Sequence, residues 1–298
     1  MHPDESVDCL IVGAGPAGLT AGLYLRRFHR NVKVVDAGNA RALRIPRSHN
    51  VPGFVDGIPG HELVARLYEQ FADVGGSVRT ARVTRVQRDE HGFLAEVGDE
   101  RVHARMVLLA TGSRDEEPRV PGATELRDRG LLRQCPVCDG FEFSGRRIAV
   151  LGPGRHAARE SLFIRHFSEQ LVWLSDDDDT EPDEAMAQRL ADRRVQRLRG
   201  CVQRAEPHED GGVCITLADG SQHGFDVLYA ALGCHPRAEL GAQLGAELDD
   251  GGNLVVDAKC RTTVPGLYAA GDVTGGLDQI VVAAGQAAIA ATGIHNNL

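Results

Sequence analysis

The chain has 298 residues, 42% of them hydrophobic and 25% charged, and a formal net charge of −9. This length allows two domains, each with its own core, and the composition is that of a soluble globular protein. The negative charge argues against nucleic acid or an anionic membrane as the main partner. No apolar run approaches the ~18 residues of a membrane span. Residues 1–6 are polar and acidic, unlike a secretory signal, so we expect a cytoplasmic protein.

The first predicted elements form a strand–helix–strand unit. Residues 9–12 predict a strand, a helix runs from Leu19 to about Phe28, and residues 32–35 predict a second strand that ends at Asp36. A carboxylate in that position accepts hydrogen bonds from an adenosine ribose. The unit therefore resembles one half of a dinucleotide-binding fold.

The turn between the first strand and its helix carries Gly13, Gly15 and Gly18. The first glycine allows a tight turn, the second lets the backbone approach a pyrophosphate, and the third lets the helix pack on the strand. This pattern predicts dinucleotide binding, but it does not by itself distinguish FAD from NAD.

A second unit of the same kind follows in the middle of the chain. Residues 147–151 predict a strand, Gly152 and Gly154 its glycine turn, and residues 171–174 the next strand. Two such units predict an α/β protein with two doubly wound, Rossmann-like domains. We expect a discontinuous FAD-binding domain at 1–116 and 242–298, with a pyridine-nucleotide-type domain inserted at 117–241.

The C-terminal motif around Gly271 and Asp272 indicates which dinucleotide is bound. In flavoproteins a Gly-Asp at the end of such a strand places a carboxylate beside the ribityl chain, and the next helix, here from about Gln279 to Ile294, points its N-terminus at the flavin. An ordinary strand–turn would not explain why this motif occurs together with the N-terminal glycine turn and with residues 110–112. The three motifs together predict FAD.

Cys135 and Cys138 are separated by two residues and are followed by Asp139. Two thiols so spaced at a turn or helix start can close a disulfide at low strain, and the helix terminus lowers the pKa of one thiol. Half of a zinc site is the alternative, but no second such pair stands at ligand spacing, so no metal is predicted. Asp139 could shuttle a proton to the leaving thiolate, or merely cap the helix.

Taken together, these motifs resemble the low-molecular-weight thioredoxin reductase family. The resemblance covers nearly the whole chain, including residues 50–53, and its most specific part is the Cys-x-x-Cys-Asp-Gly before the second unit. It implies a homodimer whose dithiol domain rotates to present the dithiol in turn to the flavin and to a protein disulfide. Cys138 would face the flavin, Cys135 would attack the partner's disulfide, and Asp139 would be the acid/base.

The resemblance also assigns the ligand-binding positions. The FAD-lining set is Gly13, Gly15, Pro16, Ala17, Gly18, Asp36, Asn50, Val83, Ala110, Thr111, Gly112, Gly271, Asp272, Gln279 and Ile280. The residues of the second nucleotide loop are Gly152, Gly154, Ala157 and Asp176.

The sequence departs from the family at the nucleotide site of the second unit. Members that use NADPH carry a cluster of arginines just after the second strand, whereas this chain has Ser175 followed by four aspartates. Carboxylates repel a 2′-phosphate and no forked donor is available to chelate it, so NADPH is doubtful. Asp176 resembles the ribose-binding acid of an NADH site, which keeps NADH possible. The alternative is a solvated loop at a vestigial site.

A second departure is Asp278, which precedes Gln279 where an aromatic or basic residue is usual. Both departures resemble branches that lack a working NADPH site, which take electrons from ferredoxin or another donor, or oxidise dithiols and pass the electrons to oxygen. The leading hypothesis is an enzyme that exchanges two electrons between flavin, the cysteine pair and a thioredoxin-like protein or small dithiol/disulfide. The non-enzymatic alternative is a redox sensor. A flavin site, a disulfide and an acid together are more than such a switch needs.

Overall fold

The computed structural model describes residues 5–175 and 181–298. Its strands are β1 (Glu5–Val12), β2 (Val32–Asp36), β3 (Val78–Thr80), β4 (Val83–Asp89), β5 (Gly92–Val97), β6 (Glu100–Leu109), β7 (Ser113–Asp115), β8 (Leu132–Arg133), β9 (Ile148–Leu151), β10 (Leu171–Ser175), β11 (Gln196–Arg199), β12 (Val202–Pro207), β13 (Val213–Leu217), β14 (Gln222–Phe225), β15 (Val227–Ala230), β16 (Cys234–Pro236) and β17 (Leu267–Ala269). Its helices are α1 (Pro16–Arg27), α2 (Gly60–Asp73), α3 (Ala123–Asp128), α4 (Pro136–Asp139), α5 (Gly154–Ile164), α6 (Glu184–Asp192), α7 (Glu239–Gln243) and α8 (Ile280–Asn297), and 3₁₀ turns lie at Arg41–Arg44 and Asp272–Thr274.

The chain divides into two compact units. Unit 1 comprises Met1–Arg114 and His235–Leu298, and unit 2 comprises Asp115–Cys234. The connecting strands β7 and β16 pair with each other in a small two-stranded sheet. Unit 1 is therefore discontinuous in sequence, and unit 2 is one continuous insertion.

The main sheet of unit 1 has the strand order β3-β2-β1-β6-β5-β4, with β17 also pairing with β6. The β3, β2, β1, β6 and β17 neighbours are parallel, whereas β4 and β5 form an antiparallel extension. Residues 9–12 of β1 and residues 106–109 of β6 are continuous apolar runs, as expected for strand segments covered on both faces. The predicted Rossmann-like α/β fold is confirmed.

Both faces of this sheet carry a hydrophobic core. On one face the side chains of α1 and α8 pack together, with Ala17 and Ala21 of α1 in the same buried cluster as Ala287 and Ala290 of α8. Small residues let the two helix backbones approach closely. The core on the other face includes Leu240 of α7 and Phe93 of β5.

Two of the predicted helices in unit 1 have slightly different ends in the structure. The first begins at Pro16 rather than Leu19, because a proline at the first helical position is already in helical geometry and its missing N–H is not needed there. The last begins at Ile280, with Gln279 as its N-cap, and continues to Asn297.

Unit 2 is built on the parallel sheet β11-β10-β9-β15-β8. One face packs against α5 and α6, with Trp173 and Tyr229 fully buried in the cluster. The other face is covered by the antiparallel sheet β12-β13-β14 and by α3. No helix within residues 5–175 and 181–298 combines the length and the apolar character that crossing a bilayer requires.

Two helical glycines of unit 1 give a matched test of its packing. A Cβ on Gly22 would lie 3.0 Å from the ring of the fully buried Phe71, whereas a Cβ on Gly285 would meet nothing within 4 Å. Gly22→Ala is expected to give a thermal unfolding midpoint about 2–4 °C below that of Gly285→Ala, since overpacking costs about 1 kcal/mol or more while both changes gain the same helix preference. Gly285→Ala should leave the midpoint unchanged or raise it, because alanine favours the helix. Equal effects of the two substitutions in differential scanning calorimetry would contradict this packing.

Candidate functional site

The carboxyl ends of three parallel strands bring the predicted FAD motifs of unit 1 together. Val12 of β1 is in register with Leu109 of β6, and Leu109 is in register with Ala269 of β17. The Ala110 N–H donates to the Val12 carbonyl at 2.8 Å, and the Ala270 N–H donates to the Leu109 carbonyl at 3.0 Å. The glycine turn, residues 110–112 and the Gly-Asp motif therefore follow neighbouring strands at one edge of the sheet.

The first glycine turn is shaped by close backbone contacts. Gly13 has a φ of +109°, and a Cβ there would lie 2.2 Å from the Ala110 carbonyl oxygen. A Cβ on Gly18 would lie 1.8 Å from the Gly13 carbonyl oxygen, so α1 packs directly on the turn. Gly15 differs, because a Cβ there would come no closer than 3.9 Å to another residue, the Cβ of Ala40. Pro16 and Ala17 open the helix, and its N-cap makes no side-chain hydrogen bond.

Asp36 lies at the end of β2, beside this turn. Its Oδ2 accepts a hydrogen bond from the Ala14 N–H at 2.7 Å, and its Oδ1 accepts one from the Gly38 N–H at 2.5 Å. The Asp36 carbonyl accepts from the Ala81 N–H at 3.0 Å, two residues before Val83. Val83 itself is buried in the hydrophobic core on one face of the sheet.

Asp272 and Asp278 share one guanidinium. The Nη1 of Arg41 lies 2.9 Å from Oδ2 of Asp272 and 2.8 Å from Oδ2 of Asp278. All three side chains are largely buried. Arg41 was not among the predicted site residues, because it lies in an irregular arginine-rich stretch with no motif. The acid that replaces the usual residue before Gln279 is therefore neutralised from another part of the chain.

Asn50 and Gln279, far apart in sequence, are in contact. The Asn50 Nδ2 donates to Oε1 of Gln279 at 2.8 Å, and the Ser48 hydroxyl donates to Oδ1 of Asn50 at 2.8 Å. Gln279 is buried and caps the helix that Ile280 begins.

Residues 110–112 are anchored by the returning chain of unit 1. The Thr111 hydroxyl donates to the Arg237 carbonyl at 2.7 Å, and the Arg237 N–H donates to the Gly112 carbonyl at 2.9 Å. Gly112 has a φ of +67°, and a Cβ there would have nothing within 4 Å. This turn is therefore fixed from one side and open on the other.

The residues of unit 1 fit FAD. Open space beside Gly15 and the uncapped N-terminus of α1 suit a pyrophosphate, because helix N-terminal amides need an acceptor. The Asp36 carboxylate at the next strand end suits a ribose. Asp272 and the Asn50–Gln279 pair offer further polar contacts along the same unit.

In unit 2 the two predicted cysteines form a disulfide. The Sγ atoms of Cys135 and Cys138 are 2.11 Å apart, and the Cα atoms are 5.3 Å apart. Cys135 is the N-cap of α4, Pro136 is its first residue, and the Cys138 N–H donates to the Cys135 carbonyl at 3.0 Å. Both cysteines are half-buried. The disulfide follows β8 at the carboxyl edge of the sheet.

The Asp139 carboxyl group, directly after the disulfide, is buried between two partners. The Tyr229 hydroxyl donates to Oδ1 of Asp139 at 2.6 Å, and Nη1 of Arg133 lies 3.3 Å from Oδ2. Burial and the negative charge of Asp139 raise the pKa of Tyr229. Sequence reasoning missed both partners, although a tyrosine in a buried strand and an arginine beside the cysteine motif were signals that a buried polar group needs satisfying.

The second glycine loop shares with the first a close approach of its first glycine to a strand-end carbonyl. A Cβ on Gly152 would lie 2.1 Å from the Ala231 carbonyl oxygen, and the indole N–H of Trp173 donates to the Gly152 carbonyl at 2.9 Å. Gly154 opens α5 with nothing within 4 Å of a Cβ, and Ala157 is fully buried against the sheet. Asp176 and the rest of the acidic run lie outside the described residues.

Two guanidinium groups that the sequence reasoning did not consider lie near Ser175. Nε of Arg197 donates to the Ser175 hydroxyl at 2.7 Å, its Nη1 lies 2.7 Å from Oε2 of Glu181, and Arg199 also contacts Glu181. Arg197 and Arg199 come from the neighbouring strand β11, which a reading confined to the loop could not reveal. Both guanidinium groups are ion-paired with Glu181.

Cys9 and Cys260 show the contrast with the dithiol. Both are buried in unit 1, and burial raises the pKa of the Cys9 thiol and raises the pKa of Cys260 to about 11. They remain thiols at neutral pH, as expected for inert small hydrophobes.

Two nucleotide-type folds, one carrying a disulfide, define an FAD-dependent oxidoreductase. The chain belongs to the pyridine nucleotide-disulphide oxidoreductase family, whose sequence model matches residues 7–287. It is 28% identical to a thioredoxin reductase of Bacillus subtilis (strain 168), over 99% of this chain and 96% of that protein. It is 31% identical to a thioredoxin reductase of Mycolicibacterium smegmatis, over 89% of this chain and 88% of the other.

The structure of thioredoxin reductase from Streptococcus pyogenes MGAS5005 matches with a TM-score of 0.91 and 26% identity, covering 98% of each chain. The resemblance to the low-molecular-weight thioredoxin reductases is thereby confirmed.

Gly15 gives a test of the cofactor site that leaves the fold intact. Its φ is −76°, and a Cβ there would lie 3.9 Å from the Cβ of Ala40, so Gly15→Ala is not expected to strain the protein. A methyl group would instead occupy the space assigned to the pyrophosphate, so the affinity for FAD should fall on the order of tenfold or more. Flavin fluorescence on titration of the apoprotein measures this. An unchanged affinity for FAD, with an unchanged unfolding temperature, would show that the pyrophosphate does not bind at this turn.

Proposed function

We propose that the protein is a thioredoxin-reductase-like enzyme that exchanges two electrons between its flavin, the Cys135–Cys138 pair and an external thiol/disulfide. The observation that carries this is the disulfide at the start of α4 with a buried carboxyl group one residue beyond it. A sensor would need only one of these parts.

In this proposal unit 1 holds FAD and unit 2 carries the dithiol. Residues 13–18 and Asp36 hold the adenosine diphosphate half, and Asn50, Thr111, Asp272 and Gln279 hold the flavin half. Bound FAD supplies two-electron exchange with the cysteine pair. Arg41 holds the Asp272 carboxylate in place through an ion pair of 2.9 Å between Nη1 and Oδ2.

The exchange with substrate follows from the chemistry of the reduced pair. The Cys135 thiol gives its proton to the Asp139 carboxylate, and the resulting thiolate attacks one sulfur of the external disulfide. A bond forms between Cys135 and that sulfur, the substrate S–S bond breaks, and the departing thiolate takes the proton from Asp139. Cys138 then attacks Cys135, releases the second substrate thiol with its own proton, and restores the disulfide.

A thioredoxin-like protein is the proposed partner. Two relatives and one matching structure are thioredoxin reductases. Val137 lies between the cysteines with its side chain exposed, and the exposed Phe141 follows them, so apolar surface surrounds the pair. A small dithiol or disulfide is the second candidate substrate.

The proposed electron donor is NADH or a non-nucleotide donor such as ferredoxin, rather than NADPH. The acidic residues after β10 disfavour a 2′-phosphate, and the two nearby guanidinium groups are already paired with Glu181.

The cysteine pair is tested by single substitutions. Cys135→Ser and Cys138→Ser are each expected to lower the turnover of thioredoxin disulfide by on the order of 10³-fold, because neither serine can form the intermediate disulfide. The visible spectrum of bound FAD should remain, since the cysteines lie in the other unit. Cys201→Ser, at an exposed cysteine of the same unit, is the matched control and should retain full activity. Retained turnover in Cys138→Ser would refute the mechanism.

The donor is tested by anaerobic titration of the flavin with NADPH, NADH, reduced ferredoxin and dithiothreitol. NADPH should bleach the oxidised flavin band less effectively than NADH, by on the order of tenfold or more in concentration, because of the acidic run. Rapid bleaching by micromolar NADPH would refute that assignment. Bleaching by the dithiol alone, followed by reoxidation with oxygen, would favour a dithiol oxidase.

A further inference from the structure

Arg133 and Tyr229 bind the Asp139 carboxylate, and Phe143 packs against both of them. Arg133 of β8 and Tyr229 of β15 are register partners on adjacent parallel strands, so their side chains share one face of the sheet. The Arg133 guanidinium lies 5.5 Å from the ring centroid of Phe143, and the Phe143 ring packs edge-on against Tyr229 at 6.2 Å. These contacts fix the two groups that bind Asp139.

Both partners favour the ionised form of the carboxyl group. Tyr229 is fully buried and Asp139 is 8% exposed, so water does little to stabilise a charge here. A neighbouring guanidinium and a donated hydrogen bond offset that cost and favour the carboxylate. Because burial and Asp139 raise the pKa of Tyr229, its hydroxyl stays protonated and continues to donate. The negative charge of Glu142 also raises the pKa of Tyr229.

We propose that Arg133 and Tyr229 are positioning residues that hold Asp139 as a carboxylate, ready to accept a proton from the cysteine pair. The proposal rests on the proposed function, in which Asp139 is the acid/base group. Asp139 enters the exchange as the base: it takes the Cys135 proton first and returns the same proton to the departing substrate thiolate. This proton transfer changes no oxidation state and needs no oxidant or reductant.

The protonation of Asp139 can be read without turnover. Infrared difference spectra of the oxidised holoenzyme, recorded across pH, contain the carbonyl stretch of a protonated carboxyl, and its loss in Asp139→Asn assigns it. In the wild type the band should be absent at pH 7 and appear only on acidification. Arg133→Met and Tyr229→Phe should each move its midpoint upward by about one pH unit or more, since each removes a partner of the charged form.

Matched variants separate this role from packing. Arg133→Lys retains the cation and should restore most of the wild-type midpoint. Arg147→Met removes another arginine–aspartate pair of unit 2, and Tyr268→Phe removes another buried hydroxyl, so neither should move the Asp139 band. The acid limb of thioredoxin-disulfide turnover should shift in the same direction as the infrared midpoint in Arg133→Met and Tyr229→Phe.

The outcomes distinguish the two proposals. An Asp139 band already present at pH 7 in the wild type, or wild-type midpoints in both variants, would overturn the role of Arg133 and Tyr229. Shifted infrared midpoints in an enzyme that turns over no disulfide would support their hold on Asp139 and overturn the proposed function.

Discussion

The parallel pairing of β1, β6 and β17 is the constraint on which the rest of unit 1 depends. It aligns Val12, Leu109 and Ala269, so that three segments from distant parts of the chain end at one edge. Residues 9–12 of β1, residues 107–109 of β6 and all of β17 are apolar and buried, and a slip of one residue would reverse their side chains between the two cores. The hydrophobic pattern that fixes the sheet therefore also fixes the cofactor residues.

Parallel strand pairing also positions the groups around the dithiol of unit 2. The disulfide follows the two-residue strand β8, whose Arg133 is aligned with Tyr229 of β15. The sheet thus delivers a cation and a hydroxyl to the carboxyl group beside the cysteines. In the proposed exchange, the acid/base group beside the sulfur atoms is held by residues of the sheet, and the helix start contributes the thiols.

The sequence was sufficient for the fold because strand, glycine turn and helix signals all agreed at Gly13–Gly18 and again at Gly152–Ala157. It also indicated the disulfide between Cys135 and Cys138, because the two cysteines are close in sequence. Arg41, Arg197 and Tyr229 could not be found that way. Each reaches its partner across the fold, and the pairing depends on strand order and register, which a single sequence leaves open.

The discontinuity of unit 1 has a consequence for biosynthesis. Unit 2 is a continuous segment, Asp115–Cys234, and its strands are all present before the ribosome reaches β17. Domains fold as units during synthesis, so the dithiol unit can form while unit 1 still lacks β17 and Asp272. A nascent chain would then carry its cysteines before it could retain a flavin. The last 64 residues, His235–Leu298, would decide when the polypeptide becomes a flavoprotein.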